Sequence, residues 1–311
     1  MNGRDVVNGL LAGHRQAAAF AESATVHLAH PFETLSVAGY FDGPLDQLAR
    51  AFSDLERRNT IVMESVDGHN QLWVGVCGYY CGAFAAPFLD IPPTRRMASM
   101  RFHEFYRIED GLVAEMQALW DIPELMMQAG AWPMGPSLGR EWHVPGPATQ
   151  DGLRIEGDGA RALQVVGDML DRLHLSAQGE EAMRLPDYWH ESASWYGPSG
   201  IGTCRGIKGF RAHHQIPFLN AMPDRRGLIE QGHFFAQGDY VGFTAWPGME
   251  MTVSGNGWLG IAPANQQITL RSLDFWRVED GKIAENWVLV DLLHAWHQLG
   301  VDVLARMRQL A

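Results

Sequence analysis

Glu104 and Asp274 stand at equivalent places in two stretches that nearly repeat each other, FHEFYRIEDGLVAE and SLDFWRVEDGKIAE. Both stretches are rich in aromatic and aliphatic residues, as strands are. Side chains alternate along a strand, so Met100, Phe102, Glu104 and Tyr106 share one face. Leu270, Ser272, Asp274 and Trp276 share the matching face of the second copy. An unpaired carboxylate on such a face is costly, and burial raises its pKa toward the range useful to a general acid or base. The same placement also serves a structural end, in which the acid bonds a buried Tyr, Trp or backbone amide.

Two histidines join this set. His30 begins HPFETL and is expected to face Glu104 across the first copy, relaying a proton. His214 falls four residues after Phe210 and four before Phe218, on an apolar helical face aimed at the second copy's interior. The expected catalytic groups are therefore Asp274, Glu104, His30 and His214. Asn286, Trp195, Tyr196, Ser272, Val288, Phe102, Tyr106 and Trp276 are expected to line the binding space around them. The 13 histidines include no HExxH and no paired Cys/His spacing, so no metal site is expected. The glycine-rich GPSGIGTCRG lacks both the P-loop lysine and the full dinucleotide pattern, and no nucleophile elbow occurs, so no cofactor is expected.

The elements that position these groups come in duplicate. Sliding the chain by 170 aligns 89–130 with 259–300 without a gap. The pairs Arg101/Arg271, Phe105/Phe275, Asp110/Asp280, Gly111/Gly281, Glu115/Glu285 and Asp121/Asp291 are identical. Upstream, LERRNTIV faces PDRRGLIE. The length suits two domains, read as 1–132 and 153–311 with a packed Pro/Gly-rich linker, 133–152, between them. Apolar spacing predicts a helix over 160–174, and GIKGFRAHHQIPFLNAM reads as helical until Pro217. Glu-Asp-Gly is read as a three-residue hairpin loop, which pairs Ile108 with Leu112 and Glu104 with Met116, and sets Asp274 opposite Asn286. In that register Glu104 has apolar neighbours, whereas Asp274 gains a hydrogen-bond donor. Asp121 and Asp291 are expected to cap short helices that stop at glycine. Each copy is thus helices first and an antiparallel sheet after: α+β.

Bulk properties narrow the partners. The formal charge is −12 and no basic cluster exceeds two neighbours, which argues against nucleic acid and anionic membranes. No apolar run reaches the roughly 20 residues a membrane helix needs. Cys77, Cys81 and Cys204 read as reduced thiols, and a cytoplasmic setting is expected.

EDGLVAEMQALWDIPELMMQAG and EDGKIAENWVLVDLLHAWHQLG resemble the end of SnoaL-like polyketide cyclases, within the nuclear transport factor 2-like superfamily. WYGPSGIGTCRG followed by a helix and PDRRG is similar to their front half. The resemblance implies two fused cones, each a curved antiparallel sheet wrapped around helices, paired sheet to sheet, with further self-association left open. It implies cofactor-independent acid/base chemistry on a small, partly hydrophobic carbonyl or hydroxyl compound, as an isomerase, lyase, hydratase or cyclase. The alternative it implies is a carrier that uses the cavity without turnover. The chain departs from the family pattern at three places. Ala118 and Val288 stand where the cyclases have their catalytic aspartate, Glu104 and Asp274 replace a pocket histidine, and His30 and Trp195 replace a polar pocket residue.

Overall fold

The computed structural model describes residues 3–11, 17–173, 175 and 180–310. Strands β1 (Phe20–Leu28), β2 (Glu33–Ser36), β3 (Glu56–Val66), β4 (Leu72–Ala83), β5 (Met97–Glu109) and β6 (Leu112–Trp120) form one sheet in the order β2-β1-β6-β5-β4-β3. Strands β7 (Trp189–Tyr196), β8 (Thr203–Arg205), β9 (Arg226–Gly227), β10 (His233–Gln237), β11 (Tyr240–Thr252), β12 (Gln267–Glu279) and β13 (Lys282–Val290) form the second, in the order β10-β11-β12-β13-β7-β8, with β9 on β11. Read from its other edge, the second order matches the first strand for strand. Neither sheet is wholly antiparallel: β1 runs parallel to β6 and β7 parallel to β13. A parallel pair needs a long crossover, and the whole of each domain lies between those two strands in sequence.

The doubled hairpin is tighter than its sequence suggested. Asp110 and Gly111 both adopt positive φ, 49° and 77°, as a two-residue type I′ turn requires. A bulge between Arg107 and Ile108 follows, and its copy lies between Arg277 and Val278. Turn and bulge together shift the register by two residues from the expected one. Glu104 pairs with Ala118, not Met116, and Asp274 with Val288, not Asn286. A shift of two preserves which face each side chain occupies, so the grouping of Met100, Phe102, Glu104 and Tyr106 survives.

The helical segments 37–51 and 206–221 each contain one wide π turn, Phe41–Leu45 and Arg211–Gln215. Pro44 lies inside the first, and Pro217 two residues after the end of the second. Proline lacks an N–H and crowds the preceding turn. The wider turn relieves that conflict, so the second helix runs past Pro217 to Ala221. The helix predicted over 160–174 spans Ala160–Leu173.

The identical residues of the repeat sit mainly on the outer sheet faces, where the halves meet. Phe105 stacks on Phe275 at 4.9 Å. Gly75 permits this approach, because a Cβ there would lie 3.0 Å from carbons of both rings. Buried Arg101 donates to the carbonyls of Gly197 (2.6 Å), Val288 (3.1 Å) and Tyr196 (3.2 Å) in the other half. Asp121 accepts from the Ser199 amide at 3.0 Å, and Asp291 from the His30 amide at 2.9 Å. Asp291 also caps its helix through the His294 amide, whereas no side-chain cap comes from Asp121. The linker segment packs on this seam: Trp287 donates to the Pro145 carbonyl at 3.0 Å, and Tyr79 to that of Val144 at 3.0 Å.

Arg101→Met removes the cation beside buried Asp121, 3.6 Å away, and leaves three carbonyls undersatisfied. The expected loss is about 3–5 kcal/mol in denaturant unfolding. A loss below about 1 kcal/mol would show that the seam does not depend on this residue.

Candidate functional site

Asp274 projects from the middle of β12 into a cavity enclosed by the second sheet, the 160–173 helix and the 206–221 segment. The cavity volume is about 160 Å³. An apolar cavity of roughly 150 Å³ holds a benzene-sized ring. Its walls include Met169, Trp189, Phe210, Phe218, Trp258 and Leu270, with Ser272, Asp274, His214, Arg225 and Asn286 as polar members. This is the composition of a ligand site: mostly apolar, with a few polar groups able to orient a guest.

The local structure explains the chemistry of the two ionisable residues at its heart. Ser272, two positions along the same face, donates to Asp274 Oδ2 at 2.9 Å. Asp274 Oδ1 has no partner among the described residues. Burial therefore pushes the carboxyl up to about 8, against the single lowering influence of Ser272. His214 stacks on Trp195 with 4.0 Å between ring centroids, and its Nδ1 likewise has no partner among the described residues. Burial, aided by the nearby Arg225 cation, lowers it to about 3. At neutral pH the cavity thus holds a mostly protonated carboxyl and a neutral imidazole. Both shifts favour the uncharged form, and the two groups differ in role: one can give a proton and the other can take one.

Of the residues singled out in the sequence, Trp195, Ser272, Trp276, Asn286 and Val288 line this cavity, together with His214 and Asp274. Asn286 does so without touching Asp274, because the bulged register turns its amide to the Phe275 carbonyl at 2.9 Å. Tyr196 does not line it. Its alternation with Trp195 sends it to the opposite face, where its hydroxyl donates to Glu285 at 3.1 Å. Glu285 is buried there against Arg277 at 2.6 Å, rather than solvated.

The first domain uses the equivalent acid differently. Glu104 is fully buried and accepts four hydrogen bonds. Tyr80 (2.9 Å) and Trp120 (3.0 Å) donate to Oε1, and Arg57 (2.7 Å) and Tyr106 (2.5 Å) to Oε2. An ionised carboxylate offers about four acceptor positions, so none is left for a substrate. Burial by itself would lower the Arg57 guanidinium, but Glu104 and the surrounding tyrosines outweigh it and hold the residue firmly protonated. Phe102 lies under that guanidinium at 4.0 Å. Phe102 and Tyr106, expected to contact substrate, are parts of this closed network instead.

His30 is not among Glu104's hydrogen-bond partners. It sits on the seam, bonded to Glu33 at 2.7 Å and stacked on His297 at 4.5 Å. A cis peptide precedes Pro31, and the amide of His30 is committed to Asp291. The expected Glu104–His30 relay is therefore not assembled.

Residue replacement between the copies accounts for the contrast. By the strand registers, Tyr80, Phe102, Tyr106 and Trp120 of the first domain correspond to Met249, Ser272, Trp276 and Val290 of the second. Three of the donors to the acid are lost or redirected, and a phenyl ring becomes a serine. Arg57, which closes the first site, corresponds to Arg225 in the aligned LERRNTIV and PDRRGLIE. Arg225 lines the cavity but turns to the Leu173 carbonyl, 3.5 Å away, and not to Asp274. That repeated arginine was the sequence signal for Glu104's partner.

The fold defined by these sheets is the α+β cone, present twice. Residues 168–299, within the second domain, match the family model described as SnoaL-like polyketide cyclase. Among solved structures, the chain is similar to wild-type IdmH from Streptomyces antibioticus at 19% identity and a TM-score of 0.36, over 42% of this chain and 99% of that one. It is similar to AclR from Streptomyces galilaeus at 16% identity and a TM-score of 0.36, over 41% of this chain and 95% of that one. An NTF2-like protein from Burkholderia xenovorans LB400 gives 19% identity and a TM-score of 0.35, over 45% and 97% respectively. Among proteins of curated function, none matches the chain. No helix among the described residues is long and apolar enough to cross a membrane.

Proposed function

We propose that the second domain binds a compact carbonyl or hydroxyl compound, about one ring in size, and moves a proton on it. Asp274 donates a hydrogen bond or proton to the substrate oxygen. Neutral His214 accepts a proton from the carbon beside it. The two transfers together convert a ketone to an enol without developing a free enolate, and return of the proton to another carbon isomerises the substrate. Trp195 fixes the imidazole by stacking, and Asn286 and Ser272 hold the floor around the acid. This reading places the protein among cyclase- and isomerase-type enzymes that need no cofactor. The first domain serves as a structural partner, fused where a homodimer would supply a second subunit.

The observation that carries the reading is that Asp274 and His214, each with a buried polar atom that no described residue bonds, share one hollow. The experiment that tests it restores the first domain's ring. Ser272→Phe places a phenyl group where the first domain has Phe102, filling most of the cavity. Ligand binding and turnover of a cyclic-enone panel are expected to fall at least a hundredfold, with the fold retained in circular dichroism. Undiminished turnover would show that the chemistry lies elsewhere. Tight binding by the wild type without turnover of any ligand would leave the carrier alternative standing in place of the enzyme.

A further inference from the structure

The chain contains two lysines, Lys208 and Lys282, and both line one surface groove of the second domain. Arg205 and Arg211 join them, while Glu191 is the acid among the lining residues. The groove has a volume of about 970 Å³. Pro186, Trp189, Ile207 and Ile216 supply its apolar walls. In a protein of formal charge −12, gathering every lysine beside two arginines runs against the overall field. The local excess of cations attracts and concentrates anions.

Arg205, Lys208 and Lys282 meet no carboxylate among the described residues. Arg205 donates to the Ser194 hydroxyl at 2.5 Å, and Lys282 to the Pro186 carbonyl at 2.6 Å, both uncharged acceptors. Lys208 is exposed and meets no acceptor among the described residues. Lysine is a mobile point charge and arginine a planar fork, and together they suit a carboxylate or phosphate. The adjoining indole and isoleucines suit an apolar body attached to that anion.

We propose that this groove is a binding site for a small organic anion, a carboxylate or phosphate carried on an apolar ring or chain. Trp189 is also a wall of the Asp274 cavity, so the two sites share one indole. The groove's occupancy does not depend on turnover in that cavity, and its test is independent of it.

Because the chain's lysines are confined to this groove, acylation with an acetyl N-hydroxysuccinimide ester, read by peptide mass spectrometry, reports on it directly. The probes are inorganic phosphate, phenyl phosphate and benzoate, with benzyl alcohol as the uncharged control. Millimolar phenyl phosphate or benzoate is expected to slow modification of Lys208 and Lys282 at least threefold, and benzyl alcohol to have no effect. The effective anion tells phosphate from carboxylate. Calorimetric affinity for that anion is expected to fall at least tenfold in Lys208→Ala/Lys282→Ala, and severalfold in Lys208→Gln, which alters only an exposed side chain. Equal labelling with and without every anion, or unchanged affinity in Lys208→Gln and the double variant, would overturn the proposal. Protection by inorganic phosphate as strong as by phenyl phosphate would overturn its apolar half.

Discussion

Asp274→Asn is expected to lose activity while gaining stability at neutral and alkaline pH. The amide keeps the shape and accepts from Ser272, but it has no acidic proton to give, so turnover should fall by about 10²–10⁴. Stability moves the other way. In the unfolded chain this carboxyl titrates near its ordinary 3.8, and in the folded protein at about 8. Between those values the folded protein retains a proton that the unfolded chain has released. The group's contribution is therefore fully favourable below about pH 4 and is lost as pH rises toward 8. At roughly 1.4 kcal/mol per pKa unit, the variant should gain on the order of 5 kcal/mol at pH 8 relative to pH 4, measured against wild type by denaturant unfolding. His214 adds an opposing slope. Lowered to about 3 when folded, it favours the folded state above its ordinary 6.5 and loses that contribution as pH falls toward 3. A variant with full activity, or one whose stability difference from wild type is flat with pH, would contradict the assignment.

The matching substitution in the first domain should do the reverse. Glu104→Gln leaves one oxygen to accept, and presents an NH₂ to a pair of donors whichever way the amide is turned. One orientation opposes Arg57 and Tyr106, the other Tyr80 and Trp120. The buried guanidinium also loses its counter-charge. A loss of about 3–5 kcal/mol is expected in denaturant unfolding, with ligand affinity of the second domain unchanged below the unfolding transition. If this variant lowered turnover in still-folded protein as much as Asp274→Asn does, the first domain would have to be reckoned a working site.

Much of this was legible in the residues because the chain says it twice. The repeat located both hairpins and both acids, the family resemblance supplied the cone, and strand alternation put Glu104 and Asp274 among apolar residues on one face. What the repeat could not reveal is why its letters are shared. Arg101/Arg271, Phe105/Phe275 and Asp121/Asp291 are identical because they occupy equivalent positions on the seam between halves. The acids' surroundings differ because only one copy is hollow. Glu-Asp-Gly is compatible with either a three-residue loop or a two-residue turn followed by a bulge, so the register stayed two residues off and Asn286 was wrongly set against Asp274. Whether an acid is free or closed depended on Tyr80 and Arg57, on strands distant in sequence from Glu104. His30 was misplaced for the same reason: its partners, Asp291 and His297, belong to the other domain.

The central claim is that Asp274 keeps its proton inside a hollow second cone. Carbon-13 carboxyl titration by NMR, with Asp274→Asn identifying the resonance, measures this directly. A midpoint near 8 that shifts when a ligand fills the cavity is the predicted result. A midpoint near 4, insensitive to ligand, would contradict it.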